Sequence, residues 1–213
     1  MSSSLMLFQT NNMQEKQNRK VHLEGADLRY YPHFLSEDDA DLYFKNLQTE
    51  LDWKSFPIKM FGKMVEQPRL VAWHGLPEVA IKYSGVKIEP SPFTPTLILI
   101  KEKIEAELGL EFNGVLCNLY RDGKDSMGWH ADDEKYLGQN PVIPSLSLGA
   151  VRTFQLKSKT TASVKANLLL EHGSLLIMQG DTQANFKHQL PKTSKPCAPR
   201  INLTFRQIIP HLV

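Results

Sequence analysis

Three sets of side chains in this sequence have the types and spacing to do chemistry together. His130 and Asp132 stand two residues apart in Gly128-Trp129-His130-Ala131-Asp132-Asp133-Glu134. In an extended segment, side chains two apart point the same way, so an imidazole and a carboxylate can reach one metal ion. A chain with seven His would hold about 0.3 such pairs by chance, and a solvated acidic loop would look much the same. The pair alone is weak. His188 completes a set of two His and one carboxylate, the facial arrangement that leaves iron(II) open positions for a chelating cosubstrate and oxygen.

The third set lies near the end of the chain. In Arg200-Ile201-Asn202-Leu203-Thr204-Phe205-Arg206 the polar residues share one face and the apolar residues the other. The commoner meaning of that pattern is an edge strand with its polar face in water. Pro196 and Pro199 ahead of it, and its late place in the chain, favour a strand lining the inside of a jelly roll. Two arginines on an inward face need anions, and a dicarboxylate offers one at each end. Asn118 and Tyr120 share a face of an earlier strand and can add hydrogen bonds.

The elements that must hold these groups can be read along the chain. Residues 1–20 are rich in Ser, Asn, Gln and Lys and are expected to form a mobile arm. Residues 21–213 are expected to form a single domain. Tyr30, Tyr31, Phe34 and Leu35 read as packing groups. Ser36-Glu37-Asp38-Asp39 reads as a helix N-cap with acids in the first turn, and the helix should run to about residue 51. A second helix is expected over 96–108, capped by Gly109. Between the helices, residues 52–95 hold repeated Pro and Gly with Phe56, Phe61, Trp73 and Tyr83, which suits short hairpins. Trp73 is expected to pack inside; Phe61, before Gly62, suits the tip of a turn. From residue 111 to 208 the period changes to two, and Glu171-His172-Gly173-Ser174 between two apolar runs reads as a hairpin turn. Helices followed by many short strands predict an α+β domain with an antiparallel barrel or double-sheet jelly roll.

Composition narrows the setting. The formal charge of +2 and 41% hydrophobic content fit one sizeable core and demand no polyanionic partner by themselves. Locally, Lys54, Lys59, Lys63, Arg69, Lys82 and Lys87 outnumber Glu66 and Glu78. Lys187, Lys192, Lys195, Arg200 and Arg206 stand against Asp181. Together they would make a positive rim for phosphates, although a solvated surface explains the same charges equally well. Cys117 and Cys197 fit neither a zinc site nor a disulfide framework, and Cys117 reads as a core thiol. No signal peptide or membrane-length run is seen, so a reducing, intracellular, soluble setting is expected.

The whole pattern resembles the AlkB family of iron(II)/2-oxoglutarate-dependent nucleic-acid dealkylases. The resemblance is carried by Asn118-x-Tyr120-Arg121-Asp122-Gly123, His130-Ala131-Asp132-Asp133-Glu134 and Ser147-x-Gly149-x-x-Arg152-x-Phe154. It continues through His172-Gly173-Ser174-Leu175-Leu176-x-Met178, His188-x-Leu190-Pro191 and Ala198 to Arg206. Met60-Phe61-Gly62-Lys63 and Gln67-Pro68-Arg69 look like the nucleotide-recognition hairpin of the branch that repairs double-stranded DNA. The resemblance implies a double-stranded β-helix core over 111–208, with 52–95 as a nucleotide-recognition lid.

It also implies roles. His130, Asp132 and His188 would bind iron(II). Arg200, helped by Tyr120, would hold the distal carboxylate of 2-oxoglutarate. Arg206, helped by Asn118, would sit at the carboxylate that chelates iron, with Asn202 and Thr204 in support. Phe61, Arg69, Tyr83, Asp133 and Glu134 would face the substrate: Tyr83 stacking on the base, Glu134 near its exocyclic amine, Phe61 wedging the duplex. The sequence departs from the pattern at Ile81, where relatives often have Tyr, and at Tyr83, where the duplex branch has Phe. The implied reaction hydroxylates the N-linked alkyl carbon of 1-methyladenine or 3-methylcytosine in DNA, with oxygen and 2-oxoglutarate consumed. The alternatives are a dealkylase of single-stranded DNA or RNA and a non-catalytic or protein-directed member of the fold. A monomer is expected, cytoplasmic in a bacterium or nuclear in a eukaryote.

Overall fold

In the computed structural model, which describes residues 19–60, 63–83 and 86–213, the two long helices begin where short polar side chains cap them. Ser36 Oγ accepts from the Asp39 N–H at 3.2 Å at the start of α1 (Glu37–Glu50). Thr94 Oγ1 accepts from the Leu97 N–H at 3.4 Å at the start of α2 (Pro95–Leu108), which Gly109 ends at φ +65°. Each cap satisfies an amide that the helix cannot, and contributes about 1 kcal/mol.

Strands supply the rest. β1 (Arg19–Val21) and β2 (Asp27–Tyr31) precede α1. Between the helices lie β3 (Pro57–Met60), β4 (Lys63–Glu66), β5 (Leu70–Gly75), β6 (Ile81–Tyr83) and β7 (Val86–Ile88). After α2 come β8 (Gly114–Tyr120), β9 (Met127–His130), β10 (Ile143–Gly149), β11 (Arg152–Ser158), β12 (Lys165–Leu170) and β13 (Ser174–Gln179). A short α3 (Thr182–Asn185), β14 (Phe186–Leu190) and β15 (Arg200–Arg206) complete the chain. One antiparallel sheet has seven strands in the order β1-β2-β13-β10-β15-β8-β5, and a second has four in the order β12-β11-β14-β9.

Two-residue alternation sorts the side chains of the large sheet. Leu146, Leu148, Ile201, Leu203 and Phe205 pack with Tyr43, Leu47, Leu97 and Ile100 of the helices. On the opposite face, Leu116, Ile143, Leu176 and Met178 meet Phe154, Leu156 and Phe186 of the small sheet. Each such side chain contributes about 1.5–3 kcal/mol by leaving water. β15 is therefore central, between β10 and β8, and buried on both faces. This is the expected α+β jelly roll, with its cavity between the sheets.

Three features differ from the sequence reading. Glu171-His172-Gly173-Ser174 does not close a hairpin. β12 pairs with β11, while β13 pairs with β10 and β2, so the turn carries the chain from the small sheet to the large one. Gly173, at φ +74°, donates its N–H to the Ser147 carbonyl at 2.8 Å and pins that crossing to β10. Turn residues between apolar runs look alike whether the strands pair edge to edge or face each other across a core. Secondly, Arg19 and Lys20, expected in the arm, pair with Tyr30 and Arg29; the arm's remaining residues, 1–18, lie outside the described residues. Thirdly, residues 52–95 hold the β3–β4 and β6–β7 hairpins but also give β5 to the large sheet, paired along β8. Trp73 on β5 is buried and donates its indole N–H to the Val79 carbonyl at 2.9 Å.

Candidate active site

Register brings the two histidines together. β14 pairs with β9 so that His188 lies opposite His130, with ring centroids 4.2 Å apart. Asp132 follows two residues past the end of β9. His130 Nε2 is 3.9 Å from one Asp132 carboxylate oxygen, and His188 Nε2 is 3.9 Å from the other. The three ligand atoms lie within 4.8 Å of one another. His130 Nδ1 is 2.8 Å from the Gly128 carbonyl, which can only accept, so Nδ1 carries the proton and Nε2 is left as the ligand.

Their protonation suits a cation. Burial pushes the His188 imidazole down to about 3, with the His130 charge adding to it, so its lone pair is available at neutral pH. Burial of Asp132 opposes its charge, but the Arg206 guanidinium, His188 and His130 outweigh that and hold the carboxyl below its usual range. Arg206 Nη2 donates to Asp132 Oδ1 at 2.9 Å. The Asp132 N–H donates to Gln183 Oε1 at 2.9 Å, which fixes the loop from α3. This donor set, two imidazoles beside a buried carboxylate, fits a divalent iron ion.

The rest of the cavity's polar lining is cationic. Arg200, Asn202, Thr204 and Arg206 line it from β15, and Asn118 and Tyr120 from β8. Thr204 Oγ1 donates to Asn202 Oδ1 at 3.2 Å, and Asn202 Nδ2 donates to Ser145 Oγ at 2.8 Å and to the Leu146 carbonyl at 3.0 Å. Arg200 is only 2% exposed. Its Nη2 donates to Ser147 Oγ at 2.9 Å, and among the described residues its buried Nε has no hydrogen-bond partner and no acid pairs with it. A buried cation without a counter-ion is costly, and a bound carboxylate relieves that cost. The site thus fits a dicarboxylate as well as a metal. The sequence reading missed the roles of Ser145 and Ser147. Two hydroxyls sharing the inner face of an apolar strand were the available signal.

Of the five residues expected at the substrate, Arg69, Tyr83, Asp133 and Glu134 fall among the described residues. Glu134 is half-buried; burial raises its carboxyl, against the Arg206 charge and with that of Asp132, and its Oε2 has no hydrogen-bond partner among the described residues. Asp133 is exposed and paired with Lys159 Nζ at 2.9 Å. Arg69 is buried, with Nε donating to Asn118 Oδ1 at 2.9 Å. Tyr83 ends β6. Phe61 lies outside the described residues. Trp129 faces outward, with Lys157 Nζ 4.2 Å from its ring centre.

Comparison with known proteins agrees with this geometry. The family model described as the 2OG-Fe(II) oxygenase superfamily matches residues 27–206. The chain belongs to that superfamily, among its AlkB homologues. It is 42% identical over 189 residues to the human "Alpha-ketoglutarate-dependent dioxygenase alkB homolog 3", covering 84% of this chain and 65% of that protein. It is 35% identical over 201 residues to the human "DNA oxidative demethylase ALKBH2", covering 90% of this chain and 77% of that protein. The chain therefore spans a little under two thirds of the alkB homolog 3 proteins it matches. The solved structure of OsALKBH1 superposes with a TM-score of 0.66 at 15% identity, covering 90% of this chain and all of that one. That match shows the AlkB fold alone. The sequence analysis likened the hairpin to that of the branch that repairs double-stranded DNA; of the two human relatives named here, alkB homolog 3 shares the larger identity.

Proposed function

We propose that this AlkB homologue is an iron(II)/2-oxoglutarate-dependent dioxygenase that removes N-linked alkyl groups, as in 1-methyladenine and 3-methylcytosine, from DNA by direct reversal. One observation carries the reading: a two-His-one-carboxylate set and a buried arginine that has no counter-ion among the described residues share one cavity. His130, Asp132 and His188 would hold the metal. Arg200, with Ser147 and Tyr120, would take the distal carboxylate of 2-oxoglutarate. Arg206, already bound to Asp132, stands with Asn118 at the metal end, where the chelating carboxylate belongs. Iron(II), 2-oxoglutarate and oxygen together supply oxidation of the alkyl carbon, with succinate and carbon dioxide released.

The protein's own contribution is placement and dryness. Leu116, Phe154, Leu170, Met178 and Leu190 line the same cavity as the metal set and the arginines. Phe154 packs 5.2 Å from the His188 ring, and such apolar walls keep solvent from the ligands. A target base must leave its stack, which is easiest for a lesion that cannot pair. Tyr83 would stack on the displaced base and Glu134 would face its exocyclic amine. Phe61 would fill the gap in a duplex. Asp133 and Arg69 would act through their partners, Lys159 and Asn118. The similarity to human ALKBH2, a DNA oxidative demethylase, supports the substrate class. A monomer is proposed, working in the nucleus of a eukaryote or the cytoplasm of a bacterium. No described helix is long and apolar enough to cross a membrane.

The test is product analysis on matched methylated duplex DNA, single-stranded DNA and RNA, supplied with iron(II) and 2-oxoglutarate. Restored bases with one succinate each in the duplex are expected. Restoration confined to single strands would replace the duplex reading, and no turnover on any of them would leave only a binding module.

A further inference from the structure

Arg152 is a second buried guanidinium beside Arg200. It opens β11 just past the corner where β10 ends, and Gly149, the last residue of β10, is the one paired with Arg200. Arg152 is 4% exposed. Its donors go to main-chain carbonyls: Nη1 to Asp122 at 3.1 Å, and Nη2 to Asp125 at 3.0 Å and Pro191 at 2.6 Å. One side chain therefore ties the loop after β8 to the segment that follows His188. Its Cζ lies 6.0 Å from the centre of the Tyr120 ring, and the Arg200 Cζ lies 5.4 Å from the same ring. Tyr120 is also the residue directly opposite Arg200 in the β8–β15 ladder.

Two buried cations over one ring repel each other. Burial pushes the Arg200 guanidinium down to about 10, Tyr120 opposes that, and the Arg152 charge adds to it. Asp125, the acid that feels the Arg152 charge, is already bound by Arg121 through Nε at 2.8 Å and Nη2 at 2.9 Å. This end of the cavity holds positive charge that an incoming carboxylate neutralises.

We propose, taking 2-oxoglutarate as the ligand of this end of the cavity, that Arg152 is a positioning residue for the distal-carboxylate pocket. It fixes Tyr120 beside Arg200 through the loop after β8 and supplies the second charge that sets the preference for a dicarboxylate. The charged and titratable groups that meet it are Tyr120, Asp125 and Arg200, and the metal set is not among its recorded partners.

Calorimetric titration of the Mn(II)-loaded protein without oxygen tests this, using 2-oxoglutarate and 2-oxopentanoate, the same oxo acid with a methyl in place of the distal carboxylate. Arg152→Met is expected to weaken 2-oxoglutarate about tenfold and 2-oxopentanoate by no more than about twofold, with Mn(II) affinity unchanged. Equal weakening of both ligands overturns the proposal, because a merely structural role would move both. Arg152→Lys keeps a charge but cannot reach three carbonyls together, so the same ratio should fall about threefold. If the Met variant does not fold, this second variant decides, and an unchanged ratio overturns the role of Arg152. A wild-type protein with no preference for 2-oxoglutarate would overturn the proposed cosubstrate as well. A preference untouched by either variant would overturn the Arg152 role alone.

Discussion

The small sheet presents His130 and His188 to the cavity from two neighbouring strands, whereas the large sheet presents Arg200, Asn202, Thr204 and Arg206 from one. Strand register in the small sheet sets the separation of the metal-ligand histidines. In the large sheet, β15 lies between β10 and β8 with its polar face turned to the cavity, so those polar residues are buried. The two ends of β15 then differ in a telling way. Arg206 is neutralised inside the protein by Asp132, while Arg200 has no acid among the described residues. A closed ion pair fixes a metal ligand; an open cation waits for a ligand's charge.

Substitutions at these positions can break that contrast. Asp132→Ala should reduce iron-dependent 2-oxoglutarate turnover by at least about 100-fold, and should cost about 3 kcal/mol because it removes the buried acid to which Arg206 Nη2 donates. The double change Asp132→Ala with Arg206→Met should recover stability in denaturant unfolding without recovering turnover; retained turnover in the single variant would sink the metal assignment. Arg200→Met should weaken 2-oxoglutarate about 100-fold while leaving the ligand-free protein as stable as before or more so. Arg206→Met should instead destabilise it by about 3 kcal/mol, since Asp132 keeps its charge. Equal stability effects at the two ends would erase the distinction.

Smaller effects sharpen the picture around the cavity. Phe61→Ala should slow duplex repair about tenfold more than single-strand repair if the ring fills the gap left by the base; equal losses, read on matched oligonucleotides, would favour the single-strand reading. His74 on β5, buried with Nδ1 2.7 Å from the Pro92 carbonyl, has its pKa lowered below 6.5 by burial. The unfolded chain binds the proton first as pH falls, so the His74 contribution is fully present above pH 6.5 and declines below it. Unfolding midpoints should fall more steeply below pH 6.5 in the wild type than in His74→Gln, and parallel curves would count against it.

Local signals were legible where local physics decides. Ser36, Thr94 and Gly109 marked helix ends because caps act within a few residues. The polar face of 200–206 was visible from alternation, yet alternation alone allowed an edge strand in water. Pairing on both edges, with β10 and β8, and burial of both faces removed that possibility. Glu171 to Ser174 misled because a turn between apolar runs does not say which strands pair. Gln183 and Arg152 carried no recognised role in the sequence, since each acts on a main-chain group distant in the chain, 51 residues away for Asp132 and 39 for Pro191.

By itself the sequence determined the ligand types: two imidazoles, one carboxylate and two guanidiniums, with His130 and Asp132 held close by their spacing. Tertiary structure decided what those groups meet. Antiparallel register put His188 against His130, the sheet corner at Gly149 brought Arg152 to Tyr120, and burial of both faces of β15 left Arg206 with an acid and Arg200 without one. Those outcomes depend on which strands pair across long separations, and residue spacing along a chain does not encode that.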